Sequence, residues 1–314
     1  MKKFLQKAGV IVFIIIGITF ISFALIYLSP SDPATMILEA NGMHADEDAV
    51  IALKQQLGLD KPFPVQYLSW LNGLFHGNLG TSYRMKEPVT SILLNAPPNT
   101  LMVAFGAMAL TLLIAIPVGT MCAVTKDSIF DTIIKYITFL FASFPSFFLA
   151  LLLLYLLGMK AGIFSVIGTT SGLGMIMPIL TLAFGNCAWY IRQIRTIVLG
   201  ELNKEYIRGL RSRGVTNSKI LFYHVLKNSM IPIVTMVGIS FGSMLGGTVI
   251  VESIFTWPGI GKIAVDAISQ RDYPLIQGFV VWVSLMYFAI NGGLEYLYVL
   301  LDPRIKRKKR PPDQ

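Results

Sequence analysis

The residues best placed to handle a phosphate are Gly259-Ile260-Gly261-Lys262. A phosphate-binding loop also needs a glycine where Thr256 stands and a Ser or Thr for magnesium where Ile263 stands, so the resemblance fails on both counts. His44, His76 and His224 lie far apart, and no HExxH or GxSxG pattern accompanies them. Cys122 and Cys187 fall inside apolar runs and do not suggest a disulfide framework. These residues imply no catalytic set, no metal site and no cofactor, and the chain reads as something other than an enzyme.

A different kind of chemistry, docking, is suggested by residues 190–229. Arg192, Arg195, Lys204, Arg208, Arg211, Arg213, Lys219 and Lys227 stand there against Glu201 and Glu205. Leu202, Tyr206 and Leu210 share a helical stripe, and Gly214 is suited to end that helix in the left-handed conformation. Thr216, Asn217 or Ser218 would cap a second short helix carrying Ile220, Leu221, Val225 and Leu226, leading into an apolar run near Pro232. Two short amphipathic helices at a sharp angle suit either a groove on a cytoplasmic partner or a bed of anionic lipid, and spacing leaves both open.

The elements that must carry this segment are set by composition. Of 314 residues, 54% are hydrophobic and 14% charged, which points to the bilayer as solvent. An all-α membrane protein with about six transmembrane helices is expected, since each crossing needs about 20 apolar residues. The runs are Ala8 to Ser29, Pro97 to Val124, Thr132 to Gly158, Gly174 to Ile194, Met230 to Val251 and Leu275 to Leu301. The first is too long for a cleaved signal and is read as a retained helix. Lys2, Lys3, Lys7, Lys126, the 190–229 segment and the tail from Arg304 to Arg310 fall on one side, so both termini are expected in the cytoplasm. The +9 net charge thus sits beside membrane spans, favouring lipid contact over nucleic acid.

The chain divides, on this reading, into residues 1–29 (N-terminus and first span), 30–96 (an extracytoplasmic segment) and 97–314 (a five-helix core with the loop at 190–229). In the outer segment Val50, Leu53 and Leu57 predict a helix closed by Gly58, followed by turns at Pro62, Pro64, Gly73, Gly77 and Gly80. Pro97, Pro98, Pro117, Pro145 and Pro178 sit in or beside spans, where they are tolerated or open a pathway. Gly238, Gly242 and Gly246 share one face of the fifth span, serving either helix packing or a pathway wall. A secondary transporter or channel would need ionisable groups deep in the spans, and only Glu252 and Glu295 come near that role.

The motifs together resemble one family. Glu205-Tyr206-Ile207-Arg208, Arg211-Ser212-Arg213-Gly214 and His224-Val225-Leu226-Lys227-Asn228 with Pro232 are similar to the cytoplasmic signature loop of ABC importer permeases of the dipeptide, oligopeptide and nickel subclass. Gly247 to Glu252, Ile254 to Gly261, Gln270 to Pro274 and Leu301 to Ile305 continue the likeness, as do Gly58-Leu59-Asp60, Gln66-Tyr67, Gly77 to Ser82, Pro88-Val89 and Pro98 to Leu101 upstream. Leu210 departs from the pattern, in which alanine is usual. The resemblance implies a type I ABC importer permease in a bacterial or archaeal plasma membrane. It would work with a second homologous permease subunit, two cytoplasmic ATP-binding subunits and an extracytoplasmic solute-binding protein. Residues 202–229, including Gly209, would be coupling helices seated on an ATPase. Asp32-Pro33-Ala34 with Ile37-Leu38 resembles nickel or metal-chelate members, while peptide and nickel stay level as substrates.

Overall fold

The computed structural model describes residues 2–28, 32–40, 42, 44–164 and 174–301. The tail from Asp302 to Arg310, Pro30, and the side chains of Lys2, Lys3, Lys7 and Glu295 lie outside the described residues. In chain order the helices are α1 (Lys2–Tyr27), α2 (Pro33–Ala40), α3 (Glu47–Leu57), α4 (Phe63–Phe75), α5 (Val89–Asn95), α6 (Pro97–Val124), α7 (Ile129–Ser143) and α8 (Ser146–Leu153). There follow α9 (Ile176–Leu202), α10 (Glu205–Ser212), α11 (Asn217–Lys219), α12 (Leu226–Ile254), α13 (Ile260–Ser269) and α14 (Tyr273–Leu301). They fall into two compact units, one drawn from Met1–Pro98 and Lys262–Ala289, the other from Asn99–Gly261 and Ile290 onward.

In the first unit α1 and α4 are joined by aromatic rings. Phe20, Phe23 and Tyr27 recur at helical spacing on α1 and meet Phe63, Tyr67 and Trp70 with centroids 5.1–6.3 Å apart, mostly edge to face. The Tyr67 hydroxyl donates to the Ile16 carbonyl at 3.1 Å, so the buried polar tip of that ring is satisfied. The predicted helix at Val50, Leu53 and Leu57 is α3, and Gly58 closes it at φ 69 while the Leu59 amide donates to the Lys54 carbonyl. Asp272 joins two distant motifs: its carboxylate accepts the Ser82 hydroxyl and the amides of Tyr83 and Arg84, both at 3.2 Å, and its Oδ1 accepts the Leu275 amide in the first turn of α14.

The second unit is organised around α9. Met177, Leu182, Ala183, Cys187, Tyr190, Ile194 and Val198 of this helix are buried, and α7, α8 and α12 pack on it. Cys122 and Cys187 are both free buried thiols.

Three expectations need correction. The apolar run Thr132 to Gly158 is not one straight helix: Ile129–Ser143 and Ser146–Lys160 are bent by 100°. Pro145 offers no amide to continue α7, and Phe144, as the residue before a proline, is extended at φ −87, ψ 127. Secondly, the loop expected from Tyr190 does not begin there, because α9 continues to Leu202. This helix is not among those apolar enough by composition to cross a bilayer; wrapped by other helices, it does not need an apolar surface all round. Among the described residues those helices are Gly9–Tyr27, Val89–Val124, Asn217–Ile254 and Tyr273–Ile290, or five if the bent pair counts as a span. Thirdly, the second short helix is not separate: α11, a π-helical stretch over Ile220–Val225 and α12 form one helix from Asn217 to Ile254 with Pro232 inside it.

Candidate functional site

The basic segment is built on the end of α9. The chain leaves α9 at Asn203, turns extended at Lys204 and re-enters a helix at Glu205. Glu205 in the first turn and Arg211 in the last both match the helix dipole. Gly214 then takes φ +77, its amide donates to the Arg211 carbonyl at 3.0 Å, and the Val215 amide donates to the Leu210 carbonyl at 3.2 Å. A Cβ on Gly214 would meet nothing within 4 Å, so what selects glycine is the left-handed backbone and not space.

The buried stripe is displaced from the expected one. Ile207 is the fully buried side chain of α10, joined by Ile220 and Val225, while Leu202, Leu210 and Leu226 are only partly covered and Tyr206 is 38% exposed. An eight-residue helix can bury one narrow stripe, and the turn at Lys204 rotates Ile207 into it. What the pattern of leucines did not show is what Tyr206 does instead. Its hydroxyl donates to Glu201 Oε1 at 2.6 Å, and Asn228 Nδ2 donates to the same Oε1 at 3.2 Å and to the Tyr206 hydroxyl oxygen at 3.0 Å. Lys204 Nζ lies 2.5 Å from Glu201 Oε2. One buried carboxylate therefore ties together the end of α9, the start of α10 and the start of α12. Burial pushes the Glu201 carboxyl upward, but the bonds from Lys204, Tyr206 and Asn228 outweigh it and hold the group below its usual range. Burial and the Glu201 bond together push the Tyr206 phenol up.

Away from this anchor the surface is basic and aromatic. Arg208, Arg211, Arg213 and Lys219 are exposed, as are Gly209 and Gly214, while His224 is half-buried. Phe222 and Tyr223 are 65% and 70% exposed. Exposed aromatic rings and guanidinium groups are side chains that protein interfaces favour: rings supply area at little entropic cost, and guanidinium groups fix register.

Glu201 could have been found from the sequence, as an acid in a basic segment; Asp131 gives less warning. It is fully buried near the start of α7, and Arg195 of α9 reaches it through Nε and Nη2, both at 2.7 Å, with Lys135 Nζ at 2.8 Å. The fork fixes α7 against α9 one helical turn and a half before Glu201.

The remaining motifs fasten the backbone. Glu252, fully buried, accepts the Gly261 amide at 2.7 Å. A Cβ on Gly261 would stand 2.5 Å from Val249 Cα, and one on Gly259 would strike the Glu252 carboxylate, so the loop needs glycine for close approach. Buried Trp257 donates from Nε1 to the Asn99 carbonyl at 3.1 Å, Asn99 Nδ2 donates to the Pro258 carbonyl at 2.8 Å, and the Ile260 amide donates to Thr100 Oγ1 at 2.8 Å. Lys262 pairs with Asp266 Oδ2 at 2.5 Å. Of the glycine face, Gly238 is buried, Gly242 half-buried and Gly246 exposed, and a Cβ on Gly246 would meet nothing within 4 Å.

Against known proteins, residues 1–104 match the N-terminal model, and residues 115–307 the principal model, of the binding-protein-dependent transport system inner membrane component. The chain is 38% identical over 300 residues to a nickel import system permease protein, NikB, of Staphylococcus aureus strain bovine RF122 / ET3-1, spanning 96% of this chain and 89% of the relative. A NikB of strain MRSA252 is 37% identical over 303 residues, spanning 96% and 91%. Among solved structures, an inward-facing MetNI methionine ABC transporter superposes with a TM-score of 0.56 at 19% identity, covering 67% of this chain and 96% of that one, a likeness of fold alone.

Proposed function

The chain belongs to the inner membrane components of binding-protein-dependent transport systems and is a permease subunit of an ABC importer, and from that premise we propose that it forms half of a nickel translocation pathway, its α10 surface being the seat of an ATP-hydrolysing partner. The observation that carries the coupling role is the Glu201 anchor. It fixes α10 to two membrane helices at once, so force applied to the exposed arginines and rings moves α9 and α12 instead of bending a loop. Gly214 provides the sharp exit that keeps α10 short and prominent. Glu205, Tyr206, Arg208, Gly209, Leu210, Arg213, Gly214, His224, Leu226 and Asn228 belong to this surface or to its support.

ATP hydrolysis resides in two partner subunits, a second permease completes the pathway, and a solute-binding protein delivers the cargo. Binding of ATP draws the paired α10 surfaces together and switches access between the two sides of the membrane by rigid-body motion. The α10 surface, with both termini, faces the cytoplasm, and residues 30–96 face outward. The glycine face of α12 lines the pathway or meets the second permease. Nickel, free or chelated, is favoured as cargo by the two NikB relatives, each matched over 96% of the chain.

The test is affinity purification of the tagged chain from mild detergent, followed by an ATPase assay and by radioactive nickel uptake in cells with and without the gene. Co-purified ATPase activity and gene-dependent nickel uptake are expected. Dipeptide uptake in place of nickel uptake would move the cargo to peptides, and a lone chain without ATPase would restore the secondary-transporter reading.

A further inference from the structure

None of the 13 residues of α4 carries a charge, yet Leu68 and Phe75 on this helix are 61% and 69% exposed. What covers them follows from the depth at which α4 meets α1. The span Gly9–Tyr27 has 19 residues, a length of about 28 Å at about 1.5 Å per residue, which barely matches a hydrocarbon layer of about 30 Å. The span therefore stands close to upright, with Tyr27 at one face of that layer and Ile16 about 16 Å inside it. Phe63 meets Phe20 and Tyr27 at centroid distances of 5.5 and 5.1 Å, while the Tyr67 hydroxyl donates to the Ile16 carbonyl at 3.1 Å and lies 3.2 Å from the Thr19 hydroxyl. These contacts form only if α4 lies beside the span, below the level of Tyr27.

The same contacts show which edge of α4 points inward. Tyr67 reaches Ile16, whereas Trp70 meets Phe23, nearer the Tyr27 end, with centroids 6.3 Å apart. On a helix of about 3.6 residues per turn, the edge beyond Tyr67 and away from Trp70 carries Pro64, Leu68, Leu71 and Phe75, all of them apolar. The opposite edge carries Gln66, whose Nε2 donates to the carbonyls of Leu59 and Lys61 at 3.0 and 2.7 Å. Asp60 and Lys61, both exposed, stand on that second side. The apolar edge thus faces the middle of the bilayer and the charged turn faces away from it.

We propose that α4 lies in the plane of the bilayer, sunk into the leaflet at the Tyr27 end of α1, with Leu68 and Phe75 covered by lipid acyl chains. An in-plane helix buries its apolar edge about 5–10 Å into the boundary between headgroups and chains, and tyrosine and tryptophan gather at that level. Tyr27, Tyr67 and Trp70 do so here. With no charge on α4, immersion carries no cost of desolvating an ion. The inference rests on α1 crossing the bilayer. On the topology proposed above the leaflet is the outer one, so this part of residues 30–96 is held in lipid and is not a surface for the solute-binding protein.

The test is electron paramagnetic resonance on the full chain with its co-purified partners in liposomes of phosphatidylethanolamine and phosphatidylglycerol, spin-labelled at one introduced cysteine at a time. Cys122 and Cys187 are buried, so the unsubstituted protein is the labelling blank. At each position the collision rate with oxygen, which concentrates in lipid, is divided by that with chromium oxalate, which stays in water. Leu68→Cys and Phe75→Cys alter exposed side chains and leave the packing against α1 intact. Their ratios are expected within about threefold of Phe13→Cys, an exposed position inside the α1 span, and at least about tenfold above Ile51→Cys on the exposed side of α3. A ratio at either position equal to that of Ile51→Cys, with Phe13→Cys still reading lipid, would overturn this proposal alone and leave the face to a protein partner. A water-like ratio at Phe13→Cys would overturn the span itself, and with it both this inference and the topology it rests on.

Discussion

Replacing Glu201 by alanine should release α10 from the helices that carry it. The carboxylate accepts a short bond from the Tyr206 hydroxyl at 2.6 Å and a longer one from Asn228 at 3.2 Å, and it pairs with Lys204, whose side chain is 57% exposed. A bond to a charged acceptor contributes about 1.5–3 kcal/mol, a neutral donor at the long limit adds about 0.5 kcal/mol, and an ion pair as open as that with Lys204 adds close to nothing. Tyr206 and Asn228 keep their mutual bond at 3.0 Å, which offsets part of the loss. The net cost is therefore about 2–3 kcal/mol, taken up mainly by α10, since the rest of the unit is held by its own core. At 1.4 kcal/mol per factor of ten, the open population of α10 should rise roughly 30- to 150-fold. Hydrogen exchange with mass spectrometric readout on the purified protein measures this directly. Amides of residues 205–214 should exchange faster by that factor, while those in the middle of α9 are unchanged. Glu201→Gln, which keeps an acceptor oxygen and loses the charge, should fall between. An exchange rate in 205–214 within threefold of the unmodified protein would refute the claim that Glu201 anchors this helix.

The pH dependence follows with its sign. Because Glu201 is held below the ordinary carboxylate range, the stability it gives is present above that range and lost as pH falls through the lower folded pKa. Protection factors in 205–214, corrected for intrinsic exchange, should thus be level from neutrality to about pH 5 and fall below pH 4.5, with no such fall in Glu201→Gln. Gly214→Val should preserve abundance in the membrane yet cost about 1–2 kcal/mol at the turn, measured as loss of transport-coupled ATPase; full coupling in that variant would count against α10 as the coupling surface. Gly261→Ala forces a methyl to within 2.5 Å of Val249 Cα and should destabilise the second unit by about 1–3 kcal/mol, read as a lower melting temperature. Asp131→Asn leaves Arg195 and Lys135 without their anion and should cost about 3 kcal/mol, seen as faster exchange at the start of α7; an unchanged rate would show that water replaces the carboxylate there.

The sequence by itself determined the solvent, the helical class and the family. Apolar runs of membrane-crossing length and basic flanks follow from one-dimensional counting, and so does the glycine that must turn left-handed at position 214, because its requirement is its own backbone's. Close motif spacings, such as Glu205 to Gly214, were legible for the same reason. What spacing does not carry is which distant residues meet. The bidentate fork between Asp131 and Arg195, the junction of Glu201 with Asn228, the clasp of Asp272 on the amides of Tyr83 and Arg84, and the seating of Trp257 on Asn99 all join residues separated by long stretches of chain. The 100° bend before Pro145 was also left open, since a proline in an apolar run is equally compatible with a mild kink, and only neighbouring helices select between them. The choice of Ile207 over Leu202 and Leu210 as the anchor of α10 was likewise tertiary: hydrophobic period marks a face, whereas the turn at Lys204 and the core beneath it decide which edge of that face is buried.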